Sequence, residues 1–214
     1  MPINLGKPVH EWLWDTDFKG KVKLRCRWCA SAPEFLHYHD EEWGFPEADN
    51  FRLFEKLCLE GFQSGLSWRT ILAKRENFRT AVRGFDYHQV ARFTEKDVAR
   101  LLLDAGIVRH RGKIEAVINN AQRAVDLARQ EGSLAAYLGQ FEPKPDHGAA
   151  PQTASTSAES VALSKALKQQ GWKFVGPTTV YGENDPFYSL AHSRANFDAF
   201  QAAGGTGSFA PFMV

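Results

Sequence analysis

Between residues 49 and 129, apolar side chains recur at intervals of three and four, and no stretch of useful length alternates apolar with polar. A period near 3.6 gathers such residues on one face of a helix, whereas a half-buried strand needs a period of two. The chain is therefore expected to be all-α. Asp49 suits the N-cap of a helix carrying Leu53, Phe54, Leu57 and Cys58, because its carboxylate can accept from the orphan amides of a first turn. Ser67 can cap a second, through Ile71 and Leu72 to residue 82, closed by Gly84. Thr94 with Asp97 has the spacing of a capping box before Val98, Leu101 and Leu102. A tight connection at Asp104, Ala105 and Gly106 leads to a long helix over 111–129, with Ile114, Val117, Ile118, Ala121 and Val125 inward. Shorter helices are expected over 133–141 and 161–171. Residues 142–160, rich in Pro, Ala, Ser and Thr, read as a surface loop.

With 214 residues, 43% of them hydrophobic, the chain can bury a substantial core. A net charge of only +1 gives no global field toward a polyanion. Local patches remain: Lys19, Lys21, Lys23, Arg25 and Arg27 form a run without acids, and residues 34–49 hold six acids without a Lys or Arg. No apolar stretch suits a signal peptide or a membrane span, so no membrane partner is expected. Three cysteines, an odd number, fit a reducing compartment and a cytoplasmic protein.

Soft metal ligands, tryptophans and one carboxylate crowd residues 26–68. Glu60 lies three and seven residues after Leu57 and Leu53, on the apolar face. A carboxylate there must be paired, hydrogen-bonded or functional; the bland alternative is a helix-end acid turned to water before Gly61. The turn over 61–65 can fold Trp68 back toward Glu60, making a slot with an aromatic wall and a charged floor. Such a slot suits a flat, electron-poor ligand. Cys26, Cys29, His37 and His39 are ligand types that zinc accepts, but their spacing matches no standard finger. Reduced core cysteines and surface histidines are the competing reading.

Around Gly106, two amphipathic helices meet at a glycine turn followed by Arg109, His110, Arg111 and Lys113. Amides exposed at such a turn, with cations beside them, suit phosphate, and the element looks like a helix-hairpin-helix DNA-binding motif. An ordinary helical hairpin with a solvated basic face is equally compatible. A second basic run, Arg69, Lys74, Arg75, Arg79 and Arg83, is opposed only by Glu76 and would favour DNA.

Taken in order, RCRWC, YHDEEWG, LFEKLCLEGFQSGLSW, KREN and DAGIVRHRGKI resemble the 3-methyladenine DNA glycosylase I family, and LSKALKQQGWKFVGPTTVY is similar to its next block. The resemblance spans residues 25–181. It implies a helix-hairpin-helix glycosylase domain over 25–181, a 1–24 extension, an atypical 182–214 tail, and N- and C-terminal segments packed together. The implied activity is monofunctional: flipping 3-methyladenine out of double-stranded DNA and hydrolysing its N-glycosidic bond, leaving an abasic site. Glu60 would contact the flipped base, Trp68 and Tyr38 would enclose it, and Trp28 and Trp43 would complete the wall. Gly106, Arg109, Arg111 and Lys113 would hold DNA. The chemistry agrees, because ring alkylation makes the base a cation that a carboxylate and aromatic faces attract, and a good leaving group. A monomer is the default for an enzyme that embraces a duplex.

The resemblance also implies a structural zinc tying the termini together, with Cys26 and His39 as half of its ligands. Here the chain departs from the pattern, because after Tyr181 it has no Cys and only His192. Either the metal is absent, or Cys29, His37 or His192 completes it, or the terminus is altered. That departure leaves a second reading open, a catalytically weak protein of the same fold that binds DNA or an alkylated base.

Overall fold

The computed structural model describes residues 12–16, 22–43, 47–142 and 156–181, with side chains described from residue 29 onward within those ranges. They fall into two compact units divided between residues 43 and 47, inside the 25–181 span expected as one domain.

The first unit opens with a two-stranded antiparallel hairpin, β1 (Trp12–Thr16) and β2 (Val22–Cys26), in which Trp12 pairs with Cys26 and Thr16 with Val22. The all-α class holds, and this small hairpin is an addition that the periodicity did not reveal. VKLRC does alternate, but five residues are too few for the period to stand out, and a lone hairpin is the smallest sheet that pairing allows. A 3-10 turn over Arg27–Ser31 leads to α1 (Pro33–Glu41), where proline occupies the first turn, whose amide has no helical partner. The expected packing of the terminal segments against each other involves residues outside those described.

The second unit is helical. Its core is built around α2 (Asn50–Gln63), whose Leu53, Phe54 and Leu59 are almost fully buried. Against it pack α3 (Trp68–Ala73), α7 (Arg111–Glu131), α8 (Leu134–Leu138) and α10 (Pro177–Tyr181). Between these run α4 (Arg75–Ala81), α5 (Tyr87–Val90), α6 (Glu95–Leu103) and α9 (Ala158–Gln169). Phe62 packs on Phe78 in a tilted arrangement with ring centroids 4.6 Å apart, joining the end of α2 to α4.

The expected caps are in place. Asp49 accepts from the amides of Phe51 and Arg52, both at 2.9 Å, and Ser67 from that of Thr70 at 3.2 Å. Asp97 reaches back to the Thr94 amide at 3.0 Å. His110, which the sequence offered only as a neighbour of cations, caps α7 by accepting from Lys113 N at 3.2 Å.

Two boundaries differ. The single helix expected from Ser67 to residue 82 is broken at Lys74, which leaves helical geometry at φ −102°, ψ 1°. Its ammonium donates to the carbonyls of Ala105 (3.0 Å) and Gly106 (3.2 Å), a tertiary anchor that outweighs local propensity. The helix expected over 161–171 starts three residues earlier because Ser157 and Ser160 exchange side-chain-to-amide bonds at its start. No helix among the described residues is long and apolar enough to cross a membrane.

Candidate functional site

Glu60 lies near the end of α2 and is only 6% exposed, so the alternative of an acid turned to water is overturned. One helical turn earlier Lys56 reaches along the same face, its Nζ 3.0 Å from Glu60 Oε1. Two charges leave water together only if they are closely paired. The chain then turns through Gly65, whose φ of +80° favours glycine, to Ser67, which starts α3. Trp68, the first residue of α3, is buried, and the Lys56 ammonium lies over its ring, 4.3 Å from the centroid. Glu60 and Trp68 are thus brought together as expected, with Lys56 between them. Sequence reasoning missed Lys56, although its spacing of four from Glu60 was the available signal.

Behind this group the 171–176 loop approaches α2 closely. A Cβ at Gly61 would lie 3.4 Å from Phe174 Cβ, so a small residue suits the place after Glu60. Asn120 holds the loop by donating to Lys173 O and accepting from Lys173 N, both at 2.8 Å, and the Ser164 hydroxyl donates to Val175 O at 2.6 Å.

The hairpin is built differently from expectation in one respect. Lys113 is buried, and its ammonium donates to Phe62 O (2.8 Å) and Ser64 O (2.5 Å) at the end of α2. It caps helical carbonyls that lack intrahelical partners instead of presenting charge to a phosphate; burial lowers its pKa from the ordinary lysine value. Arg109 is exposed. Arg111 is half exposed, between Glu95 (2.7 Å) and Glu115 (3.2 Å). Gly106 sits in a clamp: its amide donates to Asp104 Oδ1 at 2.8 Å, and its carbonyl accepts from Lys74 and from Asn77 Nδ2. A Cβ there would come within 2.9 Å of the Asp104 oxygen and 3.1 Å of Asn77 carbons.

The second basic run also turns inward. Glu55, 2% exposed, accepts from Arg75 Nε, from Arg79 Nε at 3.0 Å and from Arg52 Nη1 at 3.3 Å. A buried carboxylate demands that company, which removes Arg75 and Arg79 from a surface stripe. Burial, and then the nearby Glu55, push the Cys58 thiol well above its ordinary value, so it is an inert core group.

In the first unit Tyr38 is buried on α1, and His39 stacks on Trp43 with centroids 5.3 Å apart. His39 Nδ1 is 3.1 Å from Asp40 Oδ1. The side chains of Cys26 and Trp28, and His192, lie outside those described. Cys29 is buried and His37 is exposed. Among the described residues no three His, Cys, Asp or Glu side chains are grouped to hold a metal, so the zinc expectation has only His39 of its named pair in view.

The family model described as methyladenine glycosylase matches residues 28–183. DNA-3-methyladenine glycosylase 1 of Escherichia coli (strain K12) is 46% identical over 161 residues, covering 73% of this chain and 86% of the relative. Among solved structures, 3-methyladenine DNA glycosylase I is similar with a TM-score of 0.70 and 42% identity, covering 78% of this chain and 92% of that one. A variant of 3-methyladenine DNA glycosylase I in complex with 3-methyladenine matches with a TM-score of 0.68 and 37% identity, over 73% of this chain and 88% of that one.

Proposed function

The chain belongs to the methyladenine glycosylase family, and we propose that it excises 3-methyladenine from double-stranded DNA by hydrolysing the N-glycosidic bond. The observation that carries this reading beyond kinship is the buried carboxylate of Glu60 sharing one cation with the face of Trp68. A group of this kind recognises positive charge on a flat ring, which is what distinguishes the alkylated base from ordinary adenine. Glu60 would hold the base and offset positive charge developing on the sugar as the bond breaks; Trp68 would stack on the base. Tyr38, Trp28 and Trp43 are proposed as further base-binding residues. The alkylated purine leaves with the bonding electrons, so little proton transfer is asked of the protein. Water captures the sugar, and an abasic site remains without strand cleavage.

Gly106, Arg109 and Arg111 are proposed to meet the DNA backbone, and the protein to act as a cytoplasmic monomer. Zinc is proposed only in a structural role, with Cys26 and His39 as half its ligands. No step of the chemistry passes through it. Metal analysis of the purified chain tests this: one equivalent supports the site, and none removes it.

The decisive experiment incubates the protein with methylated duplex DNA and measures released free base. Release is expected, with the product strand intact until alkali treatment. Glu60→Gln should stay folded and excise more slowly, by about tenfold or more if one charge-stabilising contact is lost. Trp68→Ala should weaken base binding. DNA binding without base release at high protein would leave only a binding protein of the same fold, and unchanged excision in both variants would overturn the assignment of the site.

A further inference from the structure

Resting on the reading of Glu60 and Trp68 as the base site, we propose that Lys56 is a specificity-determining residue: a resident cation that keeps the base's place, yields to a charged base and returns when the base becomes neutral. The Lys56 ammonium makes the two contacts that a cationic purine needs, 3.0 Å from Glu60 Oε1 and 4.3 Å from the centre of the Trp68 ring. Lys56 and Glu60 are 9% and 6% exposed, so neither charge is well served by solvent. Two positive charges in so dry a place repel strongly, and the ammonium has to withdraw as the alkylated base enters. Its flexible four-carbon stem permits this without moving α2.

Exchange of one cation for another leaves Glu60 paired throughout. Neutral adenine entering in the same way would leave a buried carboxylate without a positive partner, which is costly. The reaction then reverses the balance. When the bond from the purine N9 to the sugar C1′ breaks, its electron pair goes to the purine and neutralises it, while the positive charge passes to the sugar. Water adds its oxygen to C1′ and releases a proton. The product no longer matches Glu60 as a cation does, and Lys56 closes back on the carboxylate and the ring, displacing it.

The test uses the full chain with Lys56→Gln and Lys56→Met, which remove the charge, and Lys56→Arg, which keeps it. Each is checked for folding by thermal denaturation, titrated with free 3-methyladenine at neutral pH, and assayed on methylated DNA in single and multiple turnover. The charge-removing variants should bind the free base about tenfold or more tightly, the scale of one charge-assisted contact no longer displaced. Their multiple-turnover rate should fall relative to the single-turnover rate, as product lingers. Lys56→Arg should stay near wild type in both. A purely structural role would lower stability without tightening product. Folded Gln and Met variants that bind the free base no tighter than wild type would overturn the proposal. The free-base titration needs no turnover, so it decides on Lys56 separately from base release by the wild-type protein, whose absence would count against the glycosylase reading itself.

Discussion

Phe174 adopts φ +55° and is 40% exposed, an unusual conformation for a residue with a Cβ and one that little burial rewards. It is held by hydrogen bonds on either side, Asn120 to Lys173 and Ser164 to Val175. Phe85 at φ +59° is the contrasting case, because its ring is fully buried and that packing offsets the strain. Phe174→Gly should therefore be more stable than Phe174→Ala by about 1 kcal/mol, since both lose the ring and only glycine relieves the backbone. Urea denaturation of the two variants measures the difference, and an alanine variant of equal or greater stability would contradict the strain. At this scale the sequence marks Glu60, because a carboxylate on an apolar period stands out. It marks Lys56 only by a spacing of four from Glu60, an ambiguous sign because a lysine on an amphipathic helix is ordinarily solvated; the folded site shows its ammonium turned inward onto Glu60. The destinations of Arg75 and Arg79 were hidden for the same reason, since Glu55 lies about twenty residues earlier and on another helix.

Helix starts are legible because a cap is a local event: Asp49, Ser67 and Thr94 each meet amides two or three residues on, within reach of any reading of the sequence. The break at Lys74 is not, because its cause lies 31 residues away at Ala105. The β1–β2 hairpin is too short for its period to register. Local caps also carry a pH signature. In α6 the Asp97 carboxylate accepts from the Thr94 amide, and chiefly for that reason its pKa lies below the ordinary aspartate value. A depressed folded pKa means that the unfolded chain binds the proton first as the solution is acidified. The stability due to Asp97 is thus complete above the ordinary aspartate pKa and is lost as pH falls through the lower folded value. Asp97→Asn should be less stable than wild type at neutral pH, and the two should converge on acidification. A gap constant with pH would show that the ionised carboxylate contributes nothing at the α6 start.

Over the second unit as a whole, the hairpin and the candidate base site are one mechanical piece. Lys113, in the first turn of α7, holds the carbonyls of Phe62 and Ser64 just after Glu60. Lys74 and Asn77 hold the hairpin carbonyl at Gly106 from the helices that follow Trp68. Much of the positive charge read from the sequence thus fastens helices together. Net charge is only +1, so duplex affinity must come from the cations that face outward locally and not from a global field. The salt dependence of binding separates the two kinds of lysine and arginine, because each phosphate contact adds about one unit to the slope of log affinity against log salt. Arg109→Ala should lower that slope by about one and leave stability nearly unchanged. Lys113→Met should leave the slope alone and cost about 1–3 kcal/mol of stability, as two carbonyls lose their donor. Glu60 and Trp68 flank the turn that Lys113 holds, so Lys113→Met should also slow base release at salt concentrations where DNA remains bound. A Lys113→Met slope reduced as far as that of Arg109→Ala would instead mean that the ammonium leaves the carbonyls and reaches a phosphate in the complex.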